Sequence, residues 1–215
     1  MTDNNKEAIS SSFSGYERNH LFVNQDGKAF GDLSGVSGLD AVGDSRSFAV
    51  LDYNRDGWPD IGLVNANAPL FELFRNELGS WRMADRRKML ALRFVGGNQK
   101  AHPDPSRSCR DGYGAVVTVE LGGKRLVREH RCGEGFAAQN SSTLLIGIGD
   151  HPAASRVSVR WPSGHDQYID NVAAGTLLTA YEDPLQAPDQ KSFYFEPYRV
   201  EGKSSTSATA PTPAP

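Results

Sequence analysis

Apolar residues along this chain occur in short runs between turn residues, and few of them repeat with helical spacing. Runs of about four to eight residues bounded by Gly, Pro, Asn or Asp are typical of β-strands. The pattern therefore predicts an all-β protein. The predicted strands are 19–24, 29–33, 47–51, 61–65 and 70–75 in the first part of the chain, and 89–95, 115–121, 125–131, 144–148, 156–161, 167–169 and 177–181 in the second.

Two short turns indicate how some of these strands pair. Asp26-Gly27 and Gly122-Gly123 each lie between two strand-like runs, and such dipeptides favour tight β-hairpins. Further Gly- and Pro-containing turns follow at regular intervals in the second part of the chain. This spacing favours a small antiparallel sandwich or barrel there.

A charged stretch at 82–88 separates the two blocks of strands and predicts a domain boundary. We expect one antiparallel, propeller-blade-like sheet unit in residues 15–82 and a small β-sandwich or barrel domain in residues 89–183. Residues 203–215 contain mainly Ser, Thr, Ala and Pro and cannot bury enough apolar surface to offset the entropy of ordering. They are predicted to form a disordered tail.

The composition fits this architecture and excludes some functions. The 215 residues include 22 Gly and 12 Pro, more than an average chain holds, which favours turns over helices. A net charge of −3 gives no general attraction to nucleic acid or anionic lipid. No apolar stretch approaches the roughly 18 residues of a membrane span. Residues 1–14 are polar and lack the apolar segment of a secretory signal.

One loop carries candidate ligand chemistry. Between the predicted strands 47–51 and 61–65, the sequence D-Y-N-R-D-G-W-P-D places oxygen-bearing side chains at alternate positions around a Gly. Calcium requires several oxygen ligands around one point, and a tight loop brings alternate residues to the same side. The predicted calcium ligands are the side chains of Asp52, Asn54, Asp56 and Asp60 and the main-chain carbonyl of Trp58.

This loop does not have the pattern of an EF-hand, because its twelfth position is Leu63 rather than Glu and its flanking residues are strand-like. The alternative is a polar turn in which Asp and Asn side chains cap backbone groups. Three carboxylates beside one Arg55 favour a bound cation. Without a bidentate Glu, we expect weak affinity and a structural role, in which calcium fixes the turn between two strands.

Residues 48–67, followed by L-F-E-L-F-R-N at 70–76, resemble an FG-GAP/VCBS repeat, the blade unit of integrin-type β-propellers, and residues 19–30 resemble the end of a preceding blade. The resemblance implies calcium binding by the aspartate loop at a blade edge. Family members usually carry enough repeats for a whole propeller, whereas this sequence has little more than one blade. The blade would then pack on the C-terminal domain and on a second copy, or the sequence is the end of a longer protein.

R-D-G-Y-G-A-V-V-T-V at 110–119, C-G-E-G-F-A-A-Q-N-S at 132–141, I-G-I-G at 146–149 and V-R-W-P-S-G at 159–164 resemble the ASPIC/UnbV domain. In the cartilage acidic protein-like family, including its bacterial members, that domain follows FG-GAP repeats, in the order seen here. Family members tend to be exported, which implies an extracellular or periplasmic location.

The histidines and cysteines form no strong metal motif. The five histidines lack HxH or HxxxH spacing and are expected at surface or turn positions, although His130 and Cys132 lie close enough in sequence to bind a soft metal. Cys109 and Cys132 are expected to be free thiols in a reducing compartment and a pair in an exported protein. Trp161 is predicted to be a core residue, with an exposed sugar- or peptide-binding Trp as the alternative.

The sequence is compatible with three functions. The first is a non-catalytic calcium-binding module that mediates binding to a protein or glycan partner, which the sequence does not identify. The second is an enzyme or enzyme accessory with a site between the two β units, using Asp111, Glu134, Arg110 or the His130/Cys132 pair. The third is an assembly subunit, including a homo-oligomer, whose exposed blade edge pairs with a partner strand.

Overall fold

The computed structural model describes residues 17–80 and 88–199, and both ranges consist almost entirely of β-strands and turns. The predicted tail at 203–215 and most of the predicted boundary at 82–88 lie outside these ranges. No helix in the described ranges has the length and apolar character needed to cross a bilayer. The first range contains β1 (Phe22–Gln25), β2 (Ala29–Asp32), the short helix α1 (Ser34–Ser37), β3 (Ser45–Leu51), β4 (Asp60–Asn65), β5 (Phe71–Phe74) and a 3₁₀ turn (Glu77–Ser80).

The second range forms two four-stranded sheets. One has the strand order β11-β10-β7-β8 and is antiparallel, and the other has the order β13-β12-β6-β9 and includes a parallel pair, β6 and β12. Within the described residues neither sheet closes into a barrel. The strands are β6 (Lys88–Val95), β7 (Val116–Leu121), β8 (Lys124–Glu129), β9 (Leu144–Gly149), β10 (Ala153–Arg160), β11 (Asp166–Ala173), β12 (Thr176–Tyr181) and β13 (Phe193–Pro197), with a 3₁₀ turn at Pro184–Gln186.

Both predicted hairpins are confirmed. Strands β1 and β2 pair across Asp26-Gly27, and β7 and β8 pair across Gly122-Gly123. Both residues of each dipeptide have positive φ. Gly122-Gly123 is a two-residue turn, since Leu121 pairs with Lys124, whereas the turn between β1 and β2 has three residues, since Gln25 pairs with Ala29. All the strands predicted from the sequence are present, and most of their ends shift by one or two residues. Strand β1 begins three residues later than predicted, β10 begins three residues earlier, and β11 ends four residues later. Strand β13 is an additional strand beyond the predicted domain end at residue 183.

The core of the second range lies between the two four-stranded sheets, which makes this part a β-sandwich. Alternate side chains of each strand point inward, as Val117, Val119 and Leu121 do on β7. Trp161 is 1% exposed, and its Nε1 donates to Gln167 Oε1 at 2.9 Å. The prediction of a core Trp is therefore confirmed, and its polar group has a partner.

The first range forms a smaller unit with little core of its own. Strands β3, β4 and β5 make an antiparallel sheet, and β1 and β2 make a separate hairpin. Among the described residues, thirteen of the eighteen exposed large apolar side chains belong to residues 17–80, including Phe22, Phe30, Phe48 and Phe71. An apolar surface of this extent usually contacts another surface.

A long loop of the sandwich binds the edge of the smaller unit. The main-chain amide of Val50 on β3 donates to Asn140 Oδ1 at 2.7 Å, and the amide of Ser141 donates to the Val50 carbonyl at 2.9 Å. Ser47 Oγ donates to the Phe136 carbonyl at 2.6 Å. The two bonds to Val50 occupy backbone groups that would otherwise be free on an edge strand. The two parts of the chain are therefore joined along β3.

A buried carboxylate joins three segments at one end of the sandwich. Glu182 follows β12 and is fully buried. It accepts hydrogen bonds from Gly97 N at 2.6 Å, Ser108 N at 2.8 Å, Ser108 Oγ at 2.8 Å and Ser163 Oγ at 2.5 Å. Burial alone raises the pKa of Glu182, but these hydrogen bonds outweigh burial and hold the pKa below its ordinary value. The residue is therefore a carboxylate at neutral pH.

We expect Glu182→Gln to lower the free energy of unfolding at pH 7 by about 2 kcal/mol, because the amide nitrogen would face donors that need an acceptor. The pKa of Glu182 is lower in the folded than in the unfolded state, so its contribution is complete above about pH 4.5 and is lost as the pH falls further. Urea titrations of the two proteins from neutral to acid pH should therefore converge.

The control for this experiment is Glu129→Gln, at an exposed position on β8. It should change the free energy of unfolding by no more than about 0.5 kcal/mol. A difference between wild type and Glu182→Gln that stays constant into the acid range would contradict the assignment of a buried carboxylate.

Candidate functional site

The predicted ligand loop connects β3 to β4, as the strand pattern requires. Its main chain reverses through Arg55 and Gly57, which have left-handed φ angles of 57° and 88°. A Cβ atom on Gly57 would lie 3.3 Å from Met89 Cγ on β6. Both the positive φ and this close contact favour Gly at the position. The loop therefore packs against the outer face of the mixed sheet.

Two of the predicted ligand oxygens converge on one amide. Asp52 Oδ1 and Asn54 Oδ1 each accept a hydrogen bond from Asp56 N at 3.1 Å. Asp52 Oδ2 accepts another from Gly57 N at 2.7 Å. The bond from Asp56 N to Asn54 Oδ1 closes an Asx turn, whereas Asp52 accepts from amides four and five residues ahead. The loop thus brings Asp52 and Asn54 together, as the alternating pattern predicts.

Asp56 completes this group from the other side of the turn. Its Oδ1 accepts from Trp58 N at 2.9 Å, and its Oδ2 accepts from Asn54 Nδ2 at 2.8 Å. The Trp58 ring lies over Gly79, where a Cβ atom would come within 2.7 Å of the indole. This contact holds the main chain of Trp58 against the segment that follows β5.

Asp60 connects the loop to the neighbouring strands. It is 1% exposed, and its carboxylate accepts from Tyr53 N at 3.2 Å and from Asn76 N at 2.8 Å. Asp60 therefore connects the start of the loop to the segment that follows β5. This role is structural, because both of its carboxylate oxygens accept hydrogen bonds from backbone amides.

The donor set fits the chemistry of calcium, since all the side-chain groups offer carboxylate or amide oxygens. In the geometry described, these oxygens accept hydrogen bonds mainly from amides of the loop itself. Across the described residues, no group of three or more His, Cys, Asp and Glu side chains has an arrangement that could hold a metal ion. Calcium binding by Asp52, Asn54, Asp56, Trp58 and Asp60 stays a prediction.

Two arginines lie beside the loop, one more than the sequence pattern indicated. The Arg55 guanidinium lies 5.2 Å from the ring centroid of Tyr198, and its Nε is buried without a hydrogen-bond partner among the described residues. Arg199 donates from Nη2 to the Asp56 carbonyl. The loop thus has three carboxylates and two arginines beside it, and no ion pair between them is formed among the described residues.

Tyr198 joins the loop to the sandwich and was not identified from the sequence. It is 4% exposed, follows β13, and donates from its hydroxyl to Asp52 Oδ2 at 2.9 Å. Burial raises the pKa of Tyr198, and the hydrogen bond to Asp52 raises it further, so the phenol stays protonated. The aromatic run F-Y-F-E-P-Y at 193–198 is the signal that predicts a strand and a buried ring here.

Of the residues considered for an enzyme site, His130 lines one cavity with Asp111 and another with Glu134. Arg110 and Asp111 form an ion pair with each other at 3.0 Å, with exposed side chains. Glu134 accepts from Asn140 Nδ2 at 2.6 Å, near the contact with β3. Cys132 and Cys109 are both free and exposed.

His130 is buried, so the expectation of a surface or turn position was wrong for this histidine. It is 2% exposed and lies between the rings of Phe94 and Tyr113, at centroid distances of 4.9 and 4.7 Å. Its Nε2 is 3.1 Å from the Asp111 carbonyl. Burial lowers the pKa of His130, which favours the neutral ring. A flat imidazole can fill this aromatic stack because both its faces are apolar.

Two cavities adjoin this aromatic stack. The smaller has a volume of about 160 Å³ and lies between the two parts of the chain, with Asp52, Glu134 and Tyr198 among its lining residues. The larger has a volume of about 680 Å³ and is lined only by residues of the second range, including Tyr113 and Glu196. His130 contributes to both.

Comparison with known protein families identifies one part of this chain. A search of curated proteins with the whole chain found no match. The family model described as ASPIC and UnbV matches residues 105–186, which extend from the loop before β7 to the 3₁₀ turn after β12. This range contains all four motifs that carry the resemblance, from R-D-G-Y-G-A to V-R-W-P-S-G. Residues 105–186 are therefore an ASPIC/UnbV domain, as their sequence predicts.

Proposed function

We propose that the chain is a calcium-binding β module that mediates interactions, with calcium in a structural role. The observation that carries this proposal is the position of the aspartate loop. Asp52 bonds to the Tyr198 hydroxyl and the Asp56 carbonyl bonds to Arg199, so the loop touches the sandwich at the end of β13. Ordering the loop therefore also orders the contact between the three-stranded sheet and the sandwich.

The proposed ligands are Asp52, Asn54, Asp56 and Asp60 through their side chains and Trp58 through its carbonyl. Calcium supplies positive charge that offsets the repulsion among the three carboxylates. A carboxylate can accept at several positions at once. Asp52 can therefore keep its hydrogen bond to Tyr198 while it binds a cation.

The strand–loop–strand arrangement supports a relation to FG-GAP/VCBS repeats in residues 15–82. Strands β3, β4 and β5 form an antiparallel sheet in chain order, and the aspartate loop lies between the first two of them. Under this proposal the smaller unit is a single blade-like repeat that rests on the sandwich through its calcium loop.

Isothermal titration calorimetry should show calcium binding with a Kd of about 10⁻⁴ to 10⁻³ M, because the loop lacks a bidentate Glu. Thermal unfolding should shift upward with calcium, corresponding to about 1.4 kcal/mol at ten times the Kd. Asp56→Ala should abolish both effects, since it removes one carboxylate and the cap on Trp58 N.

Asp150→Ala is the matched control, since Asp150 is an exposed carboxylate in a turn of the sandwich. It should bind calcium as the wild type does. Identical unfolding curves in calcium and in EDTA, or an equal calcium response from Asp56→Ala, would refute a cation site in this loop.

A second candidate function is assembly of copies of this chain through the free edge of the blade-like sheet. Strand β3 is covered by the sandwich loop, but β5 lies at the opposite edge and has no strand partner beyond β4 among the described residues. Its neighbourhood is apolar, because Leu70, Phe71 and Leu73 are exposed. A free edge with exposed apolar side chains is suited to pairing with the same strand of a second copy.

Light scattering at micromolar concentration should show a dimer, and Leu73→Lys on β5 should convert it to a monomer, because a charge on an edge strand opposes pairing. The matched control is Val127→Lys on β8, an exposed apolar residue at an edge of the sandwich. It should leave the dimer intact. A wild-type protein that is strictly monomeric would exclude this candidate.

A further inference from the structure

The larger cavity lies over the outer face of the mixed sheet, beside the area that the aspartate loop covers. In the register of this sheet, Arg93 on β6 pairs with Thr179 on β12, and Thr179 pairs with Tyr194 on β13. Paired residues of adjacent strands project from the same face. Arg93, Thr179 and Tyr194 therefore form one row on the floor of the cavity, all three of them lining it.

Tyrosine rings form much of the cavity wall. Tyr113, Tyr181 and Tyr194 all line it, and Tyr113 is held by stacking on the buried His130 at 4.7 Å. Burial raises the pKa values of Tyr113 and Tyr181, so both phenols stay protonated at neutral pH and can donate hydrogen bonds. The wall thus offers flat apolar faces together with hydroxyl groups.

The charged side chains of the cavity are balanced. Asp111 is neutralised by its ion pair with Arg110 at 3.0 Å. Arg93 donates from Nε to Thr143 Oγ1, and neither Arg93 nor Glu196 forms an ion pair with another described residue. Within the part of the chain that the structure describes, one cation and one anion without an ion-pair partner therefore line the cavity. This balance opposes both a multiply charged anion and a metal cation as its ligand.

We propose that this cavity binds a neutral saccharide. Its volume of about 680 Å³ lies within the range of small-molecule sites and is large enough for a disaccharide. Sugar hydroxyls both donate and accept, so they can use Glu196 as acceptor and Arg93 as donor. The carbon–hydrogen face of a sugar ring can pack on a tyrosine ring such as Tyr194.

A zwitterionic peptide is the competing ligand, since it carries one charge of each sign. Arg93 and Glu196 are exposed, however, and ion pairs in exposed positions contribute little to affinity. Most of the binding energy must then come from the aromatic faces and hydroxyl groups, which complement a sugar.

The site is independent of the calcium proposal, because the residues that line it all belong to the second described range. The test is therefore made in EDTA with four disaccharides, namely cellobiose, lactose, maltose and N,N′-diacetylchitobiose. Saturation-transfer-difference NMR and calorimetry should show that at least one of them binds with a Kd of about 1 mM. Tyr194→Ala should weaken that binding about tenfold, as loss of an aromatic contact does.

Two further variants separate stacking from folding. Tyr194→Phe keeps the ring and should lose less affinity than Tyr194→Ala. Glu196→Gln removes the anion without changing the shape of the side chain and should also weaken binding, because a sugar hydroxyl loses its charged acceptor. Tyr168→Ala, at an exposed tyrosine on β11 of the other sheet, is the matched control and should bind as the wild type does. The proposal is overturned if none of the four disaccharides binds, if Tyr194→Ala binds as tightly as wild type, or if glycyl-tyrosine binds and the sugars do not.

Discussion

The buried carboxylate of Glu182 is the interaction on which the rest of the sandwich depends. It accepts hydrogen bonds from Gly97, Ser108 and Ser163, and so holds together the end of β6, the long loop before β7 and the turn between β10 and β11. Among the described residues its carboxylate forms no ion pair, and it is stabilised by hydrogen bonds, while Arg107 donates to the Glu182 main-chain carbonyl. Ser108 begins the segment that carries Tyr113 into the large cavity.

The face of the mixed sheet that points away from the core has two different areas. Near one end, Ala91, Leu177 and Tyr198 form a small apolar cluster with the aspartate loop packed beside it. Farther along the same strands, the side chains become polar and aromatic and line an open cavity. Strand β13 contributes to both areas. Glu196 lines the cavity, and Tyr198, which follows the strand, contacts the aspartate loop. A single sheet thus supports both the contact between the units and an open cavity.

Local sequence rules predicted much of this fold, because short apolar runs and Gly-containing turns specify strands and hairpins independently of their surroundings. The convergence of Asp52 and Asn54 was predictable for the same reason. The buried position of His130 was not, because it depends on rings that are distant in sequence, Phe94 among them. The local sequence around Glu182 carries no signal of its buried role, because its three partners come together only in the folded chain. The parallel pairing of β6 with β12 likewise depends on the long-range topology of the sandwich.

The β-sandwich extends beyond the ASPIC/UnbV range, which ends at residue 186. Strand β6 lies before the matched range and is central to the mixed sheet, because it pairs with both β12 and β9. Strand β13 lies after the range and leads to Tyr198, the partner of Asp52. Residues 105–186 alone would lack both strands and would expose core side chains of β12 such as Leu178. The sandwich and its cavity therefore depend on strands β6 and β13, and the contact with the aspartate loop depends on the segment that follows β13.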